Sequence, residues 1–417
     1  MKMLPIIFLI FFGACRFDVP EPTPNTGCRH PIPCDTFSHD NRMLELLWQV
    51  PFESGPDLNL IHTIKLYKND VIAYYWDFQD NQIRLMSCKK DSGTVNYRFK
   101  FSKEQGEGDP LDYLEVIDDW VGLATDYDAG FVNLLTGQEL LIPEDKFCFI
   151  DEVKVHGKLF YRNVWSCNDK ITHLFSYDIF NGNKVDTVLT RTYLDHPAGA
   201  RFSSTPIFYE SEADGQTYVI MNNFGIGTNI IPTSEEYICY NLKNKSIKWK
   251  VDKDFGQTPV IDGRYCYLGT PEGELNKIDL ETGELIWTFL PEHQHASFVL
   301  STGFVKNDIL YTLPINDVLY ALDKHTGAVL WKGKQRLSGF NGGPIYVNGK
   351  IIIGLYQAMA VYDAMTGKEL AFEKAWNYKW GTRFESSRYD RQNMAVDLQN
   401  NLLYCSDGFY LQCFKVK

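Results

Sequence analysis

Most residues suited to chemistry in this chain lack the company that chemistry needs. His293 and His295, in the run PEHQHAS, have the spacing that puts two metal ligands on one face of a strand. No third ligand is identifiable near them, so the run reads as a polar connection between structural units. Residues 223–227, NFGIG, carry a G-x-G, but neither a lysine nor a helix pattern follows, and the stretch reads as a turn. Serine, histidine and aspartate all occur without the elbow motif that exposes a nucleophile. The 10 cysteines include no C-x-x-C and no zinc or haem spacing. No catalytic residue and no metal ligand is assigned.

A stronger signal is the segment 375–392, AWNYKWGTRFESSRYDRQ. Trp376, Tyr378, Trp380, Arg383, Arg388 and Arg391 concentrate there the side chains that dominate protein interfaces and also stack on sugars. They are the candidate patch for a partner or ligand; the alternative is local packing of an ordinary loop. Arg201, beside an insertion at 192–201, is a weaker second candidate.

The elements that must position these residues are repeats. Residues 278–289, IDLETGELIWTF, return as 322–332, LDKHTGAVLWK, and 362–372, YDAMTGKELAF, with weaker copies at 88–99, 132–142, 177–188 and 240–250. Each is an apolar strand, an Asp or Asn, a tight turn and a second strand. Glycine supplies the positive φ of the turn, and Asp279, Asp323 or Asp363 can accept backbone hydrogen bonds within it. Trp249, Trp287 and Trp331 follow their turns at one fixed offset, which predicts packing between neighbouring units.

The turn centres, at Gly93, Gly137, Gly182, Lys245, Gly283, Gly327 and Gly367, recur at a period of about 40 residues, that of a propeller blade. The irregular interval is the one that ends at Lys245. The final residues, 408–417, look like a strand that lacks its successor, and 44–52 look like that successor, with Trp48 in the aromatic position. Their pairing would close an all-β ring of eight four-stranded blades and hide both sheet edges.

Residues 1–15 have the form of a secretory signal: Lys2, an apolar run too short to span a membrane, then Phe12-Gly13-Ala14-Cys15. Residues 16–41, with Pro20, Pro22, Pro24, Pro31 and Pro33, read as a tether, and 42–417 as the propeller. Nine cysteines remain after Cys15, so at least one is free or bonded outside the chain. Cys28 with Cys34, and Cys405 with Cys413, are candidate pairs. Cys88, Cys239 and Cys413 fall at equivalent strand positions and read as small core residues. The net charge of −12, without a basic stripe, argues against nucleic acid.

Two resemblances follow from these residues. The signal resembles that of bacterial lipoproteins, whose cysteine, here Cys15, is acylated; Phe12 stands where leucine is usual. The repeat resembles the pyrroloquinoline-quinone-type β-propeller family, whose unit ends in A-x-D-x-x-T-G and L-W; residues 320–331, YALDKHTGAVLW, match it almost position for position. One branch of that family is quinone-dependent dehydrogenases, which hold the quinone and a calcium ion over the ring axis. The other is lipoproteins similar to the propeller subunit of the outer-membrane β-barrel assembly machinery. The vicinal cysteine pair common in the first branch is missing, and no acidic cluster is assignable to calcium. The resemblance therefore implies a monomeric ring without cofactor, lipid-anchored in the cell envelope at the outer membrane, that binds envelope proteins as a scaffold. The alternative is a quinone-dependent dehydrogenase or a carbohydrate-binding propeller.

Overall fold

The computed structural model describes residues 43–417 apart from 53–59, 78–81, 101–113, 125–128, 143–148, 167–170, 193–199, 203–205, 226–234, 252–258, 271–272, 293–300, 314–317, 335–342, 356–357, 375–393 and 407–409. The signal, Cys15, the tether, His293 and His295 lie outside the described residues. Among the described residues no helix is long and apolar enough to cross a membrane.

Strands form eight antiparallel sheets, each following chain order from its first strand to its fourth. Blade one is Leu60–Tyr67, Asp70–Asp77, Gln82–Lys89 and Val95–Lys100. Blade two is Leu114–Ile117, Trp120–Ala124, Ala129–Asn133 and Glu139–Ile142. Blade three is Phe149–His156, Leu159–Ser166, Ile171–Asp178 and Lys184–Thr192. Blade five is Val260–Asp262, Tyr265–Gly269, Leu275–Asp279 and Leu285–Phe289. Blade six is Ser301–Lys306, Ile309–Leu313, Tyr320–Asp323 and Val329–Lys332. Blade seven is Ile345–Val347, Lys350–Leu355, Ala358–Asp363 and Glu369–Lys374.

Blades four and eight depart from this pattern in different ways. In blade four the first strand is split into Ala200–Phe202 and Ile207–Glu210, both paired with Thr217–Gly225, before Glu235–Asn241 and Ser246–Val251. The long interval ending at Lys245 is thus absorbed in part by a broken inner strand. Asn223, Phe224 and Gly225, expected in a turn, are instead strand, because Ala200–Phe202 supplies them with a partner. Blade eight is Ala395–Asp397, Leu402–Ser406 and Tyr410–Val416, completed by Leu44–Pro51 from the other end of the described chain. Leu44 lies opposite Val416, Trp48 opposite Cys413 and Pro51 opposite Tyr410, so the expected closure is present.

First strands of neighbouring blades approach one another and so line the axis. Consecutive residues of each second strand face opposite neighbours, which is why these strands read as unbroken apolar runs rather than alternating ones. The junctions run Ile72 with Val121, Phe131 with Phe160, Leu174 with Val219, Ile220 with Cys266 and Tyr267 with Leu310. They continue with Tyr311 and Ile351, then Ile352 and Leu403, and Tyr404 with Val71 closes the circle. Every blade therefore donates both faces to the core, and no blade holds a core of its own.

The tryptophans lock some of these junctions. Trp48, Trp249, Trp287 and Trp331 each lie against the turn glycine of the next blade: Gly93, Gly283, Gly327 and Gly367. The indole Nε1–H groups donate to the carbonyls of Lys90 (3.0 Å), Leu280 (2.7 Å), Lys324 (3.3 Å) and Ala364 (3.1 Å). At Gly367, with φ of 69°, an added Cβ would stand 2.4 Å from the Trp331 ring. Glycine is needed there twice over, for the backbone and for the ring.

Tight turns join first to second and third to fourth strands at one end of the ring, the turn end. Second-to-third connections and those between blades leave from the other, the connection end. Met43 and Lys417 lie at the turn end, where the Lys417 N–H donates to the Met43 carbonyl at 2.9 Å.

Candidate functional site

The turn aspartates are held by their own backbone. The Asp323 carboxylate accepts from the Thr326 N–H (2.8 Å), the Thr326 hydroxyl (2.9 Å) and the His325 N–H (2.9 Å), and Asp363 is held the same way by Thr366 and Met365. The Thr326 N–H and hydroxyl lower the Asp323 pKa, so the group is an ionised turn anchor.

Larger polar groups tie blades together. Glu281 of blade five takes hydrogen bonds from Tyr209, from Lys248 and from the Ser211 hydroxyl (2.7 Å), all of blade four. Lys277 is 3% exposed; its ammonium donates to the Lys324 carbonyl at 2.8 Å and stands 4.0 Å from the centre of the Tyr265 ring. Burial lowers its pKa, and the neighbouring Lys324 adds to the effect. Lys324 bridges Asp262 and Asp308, each at 2.9 Å. Tyr67 and Lys68 donate to Asp119 across the first junction, and His156 meets Glu210 at 3.1 Å across the third. Each group has at least one polar partner on a neighbouring blade, and Lys324 also holds Asp308 of its own blade. Sequence reading missed Glu281 and Lys277 because their partners on the adjacent blades are distant in the chain and the turn pattern alone does not mark them.

The thiols are equally committed. Cys88, Cys239, Cys266, Cys405 and Cys413 are buried thiols, and burial pushes Cys88, Cys239 and Cys413 up to about 12. Such thiols are poor nucleophiles and poor ligands. The expected pairing of Cys405 with Cys413 does not form. Cys405 lies opposite Gln412 and Cys413 opposite Tyr404, so Cys405 packs toward blade seven and Cys413 toward blade one. Among the described residues no group of three or more His, Cys, Asp or Glu is placed to hold a metal ion.

That leaves the connection end. Trp376, Tyr378, Trp380, Arg383, Arg388 and Arg391 lie outside the described residues, in the connection that leaves blade seven at Lys374 and enters blade eight before Ala395. Arg201 is in the first strand of blade four, its backbone opposite Phe224. Blade four lies across the ring from the junction of blades seven and eight. The connections at this end are acidic on balance and hold nearly all of the net charge of −12, whereas 375–393 is basic.

Comparison with known proteins gives the same architecture and two functional branches. Residues 271–401 match the family model described as outer membrane protein assembly factor BamB. The outer membrane protein assembly factor BamB of Legionella pneumophila is 29% identical over 117 residues, covering 28% of this chain and 28% of the relative. The dehydrogenase subunit of the quinone alcohol dehydrogenase of Gluconacetobacter polyoxogenes is 26% identical over 156 residues, 31% of this chain and 21% of the relative. The chain thus spans less than a third of the length of either relative. The crystal structure of BamB from Moraxella catarrhalis superposes with a TM-score of 0.59 at 14% identity, over 90% of this chain and 98% of that one. Fold, repeat and match together identify the chain as an eight-bladed propeller of pyrroloquinoline-quinone-type repeats, similar over 271–401 to the BamB family.

Proposed function

We propose that this ring is a lipid-anchored scaffold of the cell envelope that binds protein partners in outer-membrane protein assembly. The match of residues 271–401 to the assembly-factor family carries the reading. It is supported by the use of the described polar groups and thiols as ties within and between blades, which leaves recognition to the connection end. In this reading Cys15 is the acylated residue. Trp376, Tyr378, Trp380, Arg383, Arg388 and Arg391 form the principal partner patch, and Arg201 contributes on the far side of the ring. A basic, aromatic connection on an otherwise acidic end would orient one partner and discourage others. Affinity capture from gently solubilised envelopes is the test: recovery of outer-membrane assembly proteins is expected, and their absence would refute it.

A second reading, a quinone-dependent dehydrogenase or a carbohydrate-binding ring, is favoured by the match to the quinone alcohol dehydrogenase subunit. Titration with the quinone and calcium, followed by dye reduction with alcohols and sugars, separates the two. Saturable turnover supports the enzyme, and none supports the scaffold.

A further inference from the structure

Three observations converge on the turn end. The described chain enters the ring there: Leu44 starts the outer strand of blade eight opposite Val416, and Met43 accepts a hydrogen bond from the last residue. Whatever attaches to the preceding 42 residues is joined to the ring at this end and at this blade.

The second observation is where the turns expose apolar side chains. Met365 (67% exposed), Leu398 (55%), Leu135 (71%) and Phe180 (44%) occupy turn tips of blades seven, eight, two and three. Leu398 sits in the first-to-second turn of blade eight and the other three in third-to-fourth turns; the corresponding third-to-fourth tips of blades one, four, five and six carry Asp91, Lys243, Glu281 and His325. The apolar tips therefore fall within the arc from blade seven to blade three, with a polar tip at blade one. Lys368 and Lys158, both exposed, stand in the turns of the same blades as Met365 and Phe180.

Charge is the third. The connection end holds nearly the whole net charge of −12, so an anionic bilayer repels it and tolerates the almost neutral turn end.

We infer that the turn end of the ring, on the arc from blade seven through blade three, rests on the surface of a lipid bilayer. This deepens the proposed function and depends on its lipid anchor. Met365, Leu398, Leu135 and Phe180 enter the headgroup region, with lysines beside them at the phosphates, as on an interfacial amphipathic surface. The 26 residues 16–41 can span at most about 90 Å, so an anchor at Cys15 keeps the ring near the bilayer without choosing a face. The choice is made by the turn tips. The connection end, with its candidate partner patch, then faces away from the lipid.

The test uses the full-length acylated chain on vesicles of phosphatidylethanolamine and phosphatidylglycerol doped with a diazirine phospholipid. Flotation reports the anchor, and mass spectrometry of lipid adducts reports the face. Expected are flotation that is lost in Cys15→Ser, and adducts on peptides containing Met365 and Leu398. The pair Met365→Ser with Leu398→Ser should lower adduct yield at the turn end roughly fivefold, while flotation and Tm stay unchanged. Flotation with adducts confined to the tether, or found at the connection end, overturns the inference and leaves the anchor standing. A wild-type chain that does not float overturns both.

Discussion

Gly367 and Trp331 form the smallest unit on which the ring depends. The ring of one blade occupies the space a β-carbon would need on the next, and its N–H reaches a carbonyl one strand end away. Gly367→Ala meets both the positive φ and the 2.4 Å contact, and should cost about 2–4 kcal/mol in urea unfolding. Trp331→Phe keeps most of the packing, loses the hydrogen bond to Ala364, and should cost roughly 1–2 kcal/mol. A Trp331→Phe variant as stable as wild type would mean that the carbonyl contact carries no weight.

Glu281 makes a separate prediction. Burial raises its pKa, but the hydrogen bonds from Lys248, Tyr209 and Ser211 outweigh burial and hold it below the ordinary value of 4.5. A carboxyl depressed in the fold contributes stability that is complete above about pH 4.5 and is lost as pH falls through the native value. Glu281→Gln should therefore be less stable than wild type at neutral pH, and its stability should fall less steeply below pH 4.5. Chemical denaturation across pH checks this; parallel curves would remove Glu281 from the account.

At the scale of elements, the junctions are unequal. Tryptophan clamps close four to five, five to six, six to seven and eight to one. At one to two only Phe99 approaches Gly137, at 3.9 Å, and at two to three nothing among the described residues lies against the corresponding Gly182 position. Opening should therefore begin around blades two and three. Deuterium exchange should show their strand amides exchanging roughly tenfold faster than those of blades six and seven. Uniform protection around the circle would show that the apolar junctions suffice without the clamp. The Thr-Gly turns made these blades legible in advance, since Asp323 and Gly327 act on neighbours a few residues away. The split first strand of blade four was not legible, because Ala200–Phe202 is strand only by virtue of its pairing with 223–225.

For the whole molecule, closure and the proposed recognition patch belong to different segments of the chain. Blade eight joins the two ends of the described chain, so stability belongs to the circle, while the proposed partner patch belongs to one connection. Trp380→Ala with Arg388→Ala should weaken partner capture roughly tenfold or more and leave Tm nearly unchanged. A large fall in Tm would assign the pair to packing of the ring.

Taken alone, the sequence determined the blade count, the turn chemistry and the closing strand, because each rests on short-range patterns: a Thr-Gly turn, an alternating strand, an aromatic at fixed offset. It marked Cys88, Cys239 and Cys413 as core residues for the same reason. Tertiary structure alone decided which face each strand residue turns toward, and so kept Cys405 apart from Cys413. It decided too that Glu281 and Lys277 bind across junctions, and that Arg201 lies in the split first strand of blade four. Those outcomes depend on the order of blades around an axis, which brings distant residues together by geometry that local spacing does not contain.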